Sequence, residues 1–358
     1  MIKKDGRPLV VEMIRTDVRD AARRDAKRGI RPRIYDPDAI PPDPFIIHQA
    51  SAWMEMERAN QTPRMLFGEF WLEGELCILF ADTNMGKSLL AVQLGDSIAR
   101  GQAITPFKMD AEPNPVLYID FELSGKQFEQ RYTDGSSTHT FHENFYRGEF
   151  NQMTGLPHDF KTFDEFITHG LSRAIKRTDA RVLIIDNITC LRNGTERSSQ
   201  ALSLMKQLKL LKTRHGLSIL VLAHTPKRNP ALPITRNDLQ GSKMLINFCD
   251  SAFAMAESQT LPGYRYLKQV KQRSTAELYG SHNVCLGKLE RENGFLKFAF
   301  SHTDNEVKHL RRYSQMERQR RAADVLSLHK QGLSQRQIAG RLEMSLSAVN
   351  RVLGVAGG

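Results

Sequence analysis

The sequence predicts an α/β protein with a mostly parallel central sheet flanked by helices, followed by a small all-α unit. Three observations carry this. Four runs, LCILFA (Leu76 to Ala81), PVLYIDF (Pro115 to Phe121), RVLIIDN (Arg181 to Asn187) and LSILVLAH (Leu217 to His224), are nearly continuous in β-branched and large apolar residues. That is the pattern of strands buried on both faces. Helix-length stretches lie between them, at Ser88 to Arg100, Phe163 to Arg177 and Gln200 to His215, the last closing at Gly216; strands alternating with helices imply parallel pairing through right-handed crossovers. After Ser301 the chain turns polar and basic, then takes the spacing of a compact helical unit up to Gly354.

Length and composition bound the rest. The 358 residues, 40% hydrophobic and 25% charged, suffice for one large core and a smaller module. Lys and Arg total 51 against 40 Asp and Glu, a net +11, which favours a polyanionic partner, nucleic acid above all, although basic surfaces also occur on proteins that bind none. Cys77, Cys190, Cys249 and Cys285 are scattered and form no CxxC pair, so neither a disulfide framework nor a zinc site is signalled; they read as core residues in a reducing cytoplasm. The N-terminus is basic throughout and lacks the apolar middle of a signal peptide, and no run approaches the roughly 20 apolar residues that span a bilayer. The expectation is a soluble, cytoplasmic protein with no membrane partner.

Three segments follow. Residues 1–44 form a basic, proline-rich arm and linker ending in YDPDAIPPDPF, where successive prolines prevent regular pairing; the arm is either a phosphate contact or simply solvated. Residues 45–304 hold the α/β body. Its later part contributes YRYLKQVKQR (Tyr264 to Arg273) and a hairpin-like pair turning at Glu292, Asn293 and Gly294, expected to extend the sheet at one edge. Residues 305–358 hold a basic linker and the helical unit.

The segment ADTNMGKSL, Ala81, Asp82, Thr83, Asn84, Met85, Gly86, Lys87, Ser88 and Leu89, follows a buried strand and opens an amphipathic helix. It fits a phosphate-binding loop from Gly86 onward. In such a loop, backbone N–H groups and the helix N-terminus cradle phosphates, Lys87 reaches the terminal phosphates and Ser88 offers its hydroxyl to magnesium, so ATP and Mg²⁺ are the cofactors expected. Ala81 stands where glycine is usual. A methyl is tolerated there at negative φ, whereas a left-handed backbone would cost alanine about 1–2 kcal/mol. Asp186, leaving the buried VLIID run, is placed to hold magnesium beside Ser88; the alternative is a carboxylate capping the next turn. Glu122, just past the strand tip in LYIDFEL, is placed to polarise the attacking water, with Asp120, two residues earlier and on the same side, as its rival.

The order of the phosphate loop, VLYIDFE, VLIIDN, LVLAHTPK, LQGSKML and KQVKQR resembles the RecA-like P-loop ATPases, and in particular the RepA-like branch of ring-forming replicative helicases of plasmids and mobile elements. The resemblance covers roughly residues 65 to 300. It implies a RecA-like P-loop core and a homo-oligomeric ring, with a hexamer among the sizes allowed. It also implies Glu122 as the activator of water, His224 as the sensor of the γ-phosphate, and Lys271 and Arg273 as fingers sent into a neighbour's site. On their own chemistry, His224 at the carboxyl edge of the sheet reads equally as a structural hydrogen bonder, and Lys271 and Arg273 as a solvated face. A role for Gly241 and Ser242 in signalling or DNA contact comes from the resemblance alone.

The C-terminal ADVLSLHKQGLSQRQIAGRLEMSLSAVNRVLG reads as three short helices. Gly332 ends the first, Ser334 caps the second with Gln337 three residues on, and Ser345 opens the third; Leu333, Ile338, Ala339, Leu342, Val349 and Val352 have the spacing of a shared core. This looks like a helix-turn-helix whose third helix, about Ser345 to Leu353, offers Ser345, Ser347, Asn350 and Arg351 to a major groove. A three-helix protein-docking module is the alternative. The basic run from Lys308 to Arg321 would add phosphate contacts. The whole reads as a DNA-dependent ATP hydrolase, a replicative helicase or helicase loader of a plasmid or mobile element. An ATP-switched accessory or regulatory DNA-binding protein for transposition or excision, without unwinding, is the alternative.

Overall fold

The computed structural model describes residues 45–58, 60–135, 137–151, 156–160, 162–187, 198–226, 228–239, 243–313 and 315–356. The N-terminal arm and the Gly241–Ser242 pair lie outside them. In chain order the elements are α1 (Ala50–Arg58), β1 (Met65–Phe67), β2 (Trp71–Leu72), β3 (Leu76–Ala81), α2 (Lys87–Arg100), β4 (Val116–Asp120), α3 (Gly125–Arg131), β5 (Thr133–Asp134), β6 (Ser137–Thr138), β7 (Phe145–Glu149), α4 (Phe163–Thr178), β8 (Val182–Asp186), α5 (Ser198–His215) and β9 (Ser218–His224). They continue with α6 (Lys243–Phe248), β10 (Ser251–Glu257), β11 (Tyr264–Lys271), β12 (Val284–Glu292), β13 (Phe295–Asp304), α7 (Gln315–Lys330), α8 (Gln335–Arg341) and α9 (Leu346–Ala356), with short 3-10 turns at Arg236–Asp238 and Glu306–His309.

One nine-stranded sheet dominates, ordered β13-β12-β11-β10-β3-β9-β8-β4-β7. From β10 to β7 every pairing is parallel; β11, β12 and β13 add an antiparallel edge. The four predicted runs are its centre. Their side chains alternate between two cores, as the strand period requires: Leu76, Ile78 and Phe80 face α4, α5 and α6 with Leu183, Ile185, Ile219 and Val221. Cys77, Leu79 and Ala81 face α2 with Ile184, Leu220, Leu222, Phe253 and Phe298. A sheet covered on both faces is why these runs carry no polar alternation.

The predicted hairpin forms the far edge, with Asn293 (φ 49) and Gly294 (φ 82) as the left-handed pair that a two-residue turn demands. The KQVKQR strand is shorter than expected: β11 ends at Lys271, so Arg273 lies beyond it. Two strands of this sheet escaped the sequence reading. β10 (SAFAMAE) is rich in alanine, a poor strand former, yet sits fully paired between β3 and β11. β7 (FYRGE) is a half-exposed edge strand with no continuous apolar run. Among the described residues no helix is long and apolar enough to cross a membrane.

Past the 3-10 turn at Glu306–His309, which is still packed on the body through the buried Glu306 and His309, α7, α8 and α9 form a separate three-helix unit. Gly332 (φ 82) follows α7, and Ser334 and Gln337 form a reciprocal capping box at the start of α8. The unit's core is Val325, Ile338 and Val349, each fully buried, with Leu328, Leu333, Ala339, Leu342 and Val352 around them. So small a core has no reserve. Ile338→Ala is expected to cost about 2–5 kcal/mol, comparable to the ~3–5 kcal/mol such a core supplies. Residues 315–356 should then become protease-sensitive while the α/β body keeps its unfolding midpoint.

Candidate functional site

The carboxyl ends of β3, β9, β8 and β4 lie together at one edge of the sheet, because the register pairs Ala81 with His224 and Asp120 with Asp186. Open α/β sheets bind ligands at this edge. Ala81 is the last residue of β3 and extended; among the described residues the non-glycine positions at positive φ are Asn84, Asp179, Asn293 and Glu343. The absent glycine therefore costs the loop nothing at that point.

The tight bends come later, at Asn84 (φ 60) and Gly86 (φ 95). Successive residues of mixed hand turn backbone N–H groups toward one concavity suited to an anion. Asp82 accepts the Thr83 amide at 2.8 Å and steadies the turn. Gly86 is also the N-cap of α2 and offers no side-chain cap, so the first amides of a fourteen-residue helix keep no intrahelical partner. A Cβ at Gly86 would stand 2.8 Å from the ring of Phe298, a buried residue whose backbone N–H and carbonyl are tied to α2 by hydrogen bonds with the Gln93 side chain at 2.8 and 2.9 Å. Gly86→Ala adds a left-handed penalty of about 1–2 kcal/mol to that clash. It is expected to lower the melting temperature by about 2–8 °C, read by thermal unfolding with and without nucleotide.

Lys87 is 6% exposed. Its ammonium donates to the carbonyls of Ala81 (3.1 Å) and Asp82 (2.9 Å) and lies 3.2 Å from His224 Nδ1. Burial holds its pKa below the usual lysine value, against the opposing pull of Asp186, Glu122 and Asp82. An ammonium has only protons to give, so Nδ1 is the bare nitrogen of His224. The other ring nitrogen, Nε2, faces Glu122 Oε1 at 3.5 Å.

Glu122 and its rival Asp120 are separated by their surroundings. Asp120 is 1% exposed and fully committed: Oδ1 accepts the amides of Glu122 (3.0 Å) and Leu123 (2.9 Å), and Oδ2 takes Nε (3.1 Å) and Nη2 (3.0 Å) of Arg147. It shapes the turn from which Glu122 projects. Glu122 is partly exposed, accepts from the Asn187 amide and faces His224. The hydrogen bond to His224 holds its carboxyl below the usual glutamate range, outweighing burial, so it stays an ionised acceptor at neutral pH. Asn187, 2% exposed and also 3.1 Å from His224 Nε2, was missed in the sequence. Its only signal was a polar residue directly after Asp186.

Asp186 is 2% exposed and takes hydrogen bonds from the Tyr118 hydroxyl at 2.7 Å and from Ser88. Burial pushes its pKa up to about 6. A carboxylate so desolvated, bonded to two neutral hydroxyls, gains from a cation beside it. Among the described residues no cluster of three or more His, Cys, Asp or Glu could hold a metal alone. The donor set of Ser88 and Asp186 fits a magnesium ion whose remaining ligands are phosphate oxygens and water.

Lys271 and Arg273 are elsewhere. Lys271 pairs with Ala252 near the start of β10, and its ammonium binds the carbonyls that end α6: Ile246, Asn247 (3.4 Å) and Cys249 (2.7 Å). Arg273 donates to Asn247 O (3.1 Å) and reaches Asp250 Oδ1 (3.4 Å), whose other oxygen accepts the Leu76 amide at 2.9 Å. Leu76 opens β3, five residues before Ala81, about 16 Å along the strand. Both cations thus occupy the edge opposite their own phosphate loop. In the three-helix unit Ser345 caps α9, accepting the Ala348 amide at 3.1 Å, while Ser347, Asn350 and Arg351 are exposed.

Sheet order and loop together define a RecA-like P-loop ATPase domain: the loop strand lies beside β9, which separates it from the Asp186 strand β8. A family model described as an AAA domain matches residues 42–230, more than half of the chain, and the chain belongs to that family. Among solved structures it is similar to a KaiC-like protein from the hyperthermophilic archaeon Pyrococcus horikoshii OT3, at 15% identity and a TM-score of 0.44, covering 64% of this chain and 91% of that one. A search of curated proteins finds no match.

Proposed function

We propose that the protein is a magnesium-dependent ATP hydrolase that works on DNA as a homo-oligomer, a replicative helicase or helicase loader of a plasmid or mobile element. The observation that carries the hydrolase reading is the convergence of Lys87, Ser88, Asp186, Glu122 and His224 on one open helix N-terminus. With ATP in the loop, the amides from Asn84 to Ser88 hold the phosphates and Lys87 leaves the Ala81 and Asp82 carbonyls for the terminal phosphate oxygens. Ser88 and Asp186 would hold magnesium, which when bound would supply charge neutralisation. Glu122 takes a proton from water as its oxygen bonds to the γ-phosphorus and the bond to the bridging oxygen breaks, releasing ADP and phosphate. Asn187 fixes the carboxylate's direction, and His224 senses the γ-phosphate.

The DNA reading rests on the three-helix unit, whose capped α8, turn and exposed α9 face have the form of a major-groove reader, and on the net charge of +11. ATP turnover measured alone, with single-stranded DNA and with duplex, beside a fork-unwinding assay, tests it. Stimulation by single strands with unwinding is the expected result. Stimulation by duplex alone turns the reading into an accessory factor, and negligible turnover despite ATP binding removes the motor.

A further inference from the structure

We propose that Asn229 is a latch holding the three-helix unit to the ATPase body, released when a triphosphate fills the phosphate loop. The inference rests on the nucleotide reading above and adds a regulatory contact to it. Asn229 Nδ2 donates to the carbonyl of Glu343, in the turn between α8 and α9, and Asn229 Oδ1 accepts the Tyr313 hydroxyl at 3.0 Å. Tyr313 lies in the linker before α7, its ring against the guanidinium groups of Arg311 (5.2 Å) and Arg321 (4.3 Å). Arg321 in turn donates to Leu342 O at 2.9 Å, and the Arg311 amide donates to Pro230 O at 3.0 Å. One asparagine therefore joins the body, the linker and the turn that positions α9.

The seam is polar. Among the described residues the core of the unit shares no buried apolar residue with the two cores of the body, and a polar interface within a chain is one across which units move. The segment bearing Asn229 is built to transmit a displacement. It begins one residue after His224, whose ring lies against Lys87, and Thr225 is tied to Ala81 O at 3.0 Å. It ends at Ile234, whose amide donates to Glu306 Oε1 at 2.8 Å and whose carbonyl takes Lys268 Nζ at 2.7 Å. Lys268 and Glu306 are a buried ion pair, 7% and 0% exposed. Between these anchors stand Pro226, Pro230 and Pro233, each of which fixes its own φ. A γ-phosphate that draws Lys87 off His224 leaves the ring to its Nε2 partners Asn187 and Glu122, which pull it the other way, and with the far end pinned the shift falls on Asn229.

Amide exchange of the full-length protein, read by mass spectrometry with magnesium and either ADP or slowly hydrolysed ATPγS, tests this. ATPγS is expected to protect residues 82–90 and to raise exchange at 311–313 and 342–345 by about 5- to 150-fold, the usual range of coupling between two sites; ADP should leave the latch closed. In Asn229→Ala exchange at 342–345 should be raised without nucleotide, and ATPγS should add nothing. Tyr313→Phe, which keeps the ring against the arginines, should do the same more weakly. Protection at 82–90 with unchanged exchange at 311–313 and 342–345 overturns the latch and leaves the ATPase reading standing, as does an Asn229→Ala protein with the wild-type response. No protection at 82–90 overturns both.

Discussion

Glu122→Gln is expected to lower kcat for ATP hydrolysis by about 10²- to 10⁴-fold, the usual worth of a general base, while ATP still binds. The substitution keeps the shape of the side chain and one acceptor for Asn187 but removes the ability to take a proton. Glu122 is the carboxylate left free to act as base, since Asp186 faces Ser88 and Tyr118, and Asp120 is spent on Arg147 and two backbone amides. Single-turnover hydrolysis and nucleotide binding, measured side by side, separate the step from the affinity. Equal loss in both would make Glu122 a binding group. Asp120→Asn provides the contrast: it leaves the Arg147 guanidinium, 17% exposed, without its buried partner, and should act through stability, lowering the melting temperature. A normal melting temperature with lost turnover in Asp120→Asn, and retained turnover in Glu122→Gln, would reverse the two roles.

What the sequence disclosed and what it hid divide along physical lines. The central strands were legible because a sheet covered on both faces forces unbroken apolar runs, and Leu76 to Ala81 was read to the residue. The Glu292 to Gly294 turn and the Ser334 cap were legible because their chemistry is local. β10 was hidden because its place between β3 and β11 is decided by neighbours distant in sequence, which override the weak strand preference of alanine. The same limit applies within the site. Lys87, Ser88 and Asp186 announce themselves through loop and strand, but only the pairing of Ala81 with His224 and of Asp120 with Asp186 brings His224, Glu122 and Asn187 to one place. Nor did spacing reveal why Gly86 must be glycine, since Phe298, whose ring approaches it, is 212 residues further along the chain.

Arg273→Ala is expected to reduce turnover by about 10³-fold or more, the worth of a cation acting on the transferring phosphoryl group from a neighbouring subunit. Activity should return when the variant is mixed with inactive Glu122→Gln. If the site is shared, a subunit with intact Glu122 in a mixed assembly would receive Arg273 from a neighbour that lacks only its own base, so some sites would be whole although neither parent has one. Position is what makes the test sharp: Arg273, 50% exposed, lies beside Asp250 at the amino edge of β3, too far to serve its own loop. The competing role is local. Lys271 and Arg273 both bind carbonyls at the end of α6, where cations oppose the helix dipole. If that were all they did, Arg273→Ala would lower the melting temperature slightly, leave turnover near wild type, and gain nothing from mixing. A variant that loses turnover at unchanged melting temperature and still gains nothing from mixing would place its effect within its own subunit and rule out a shared site.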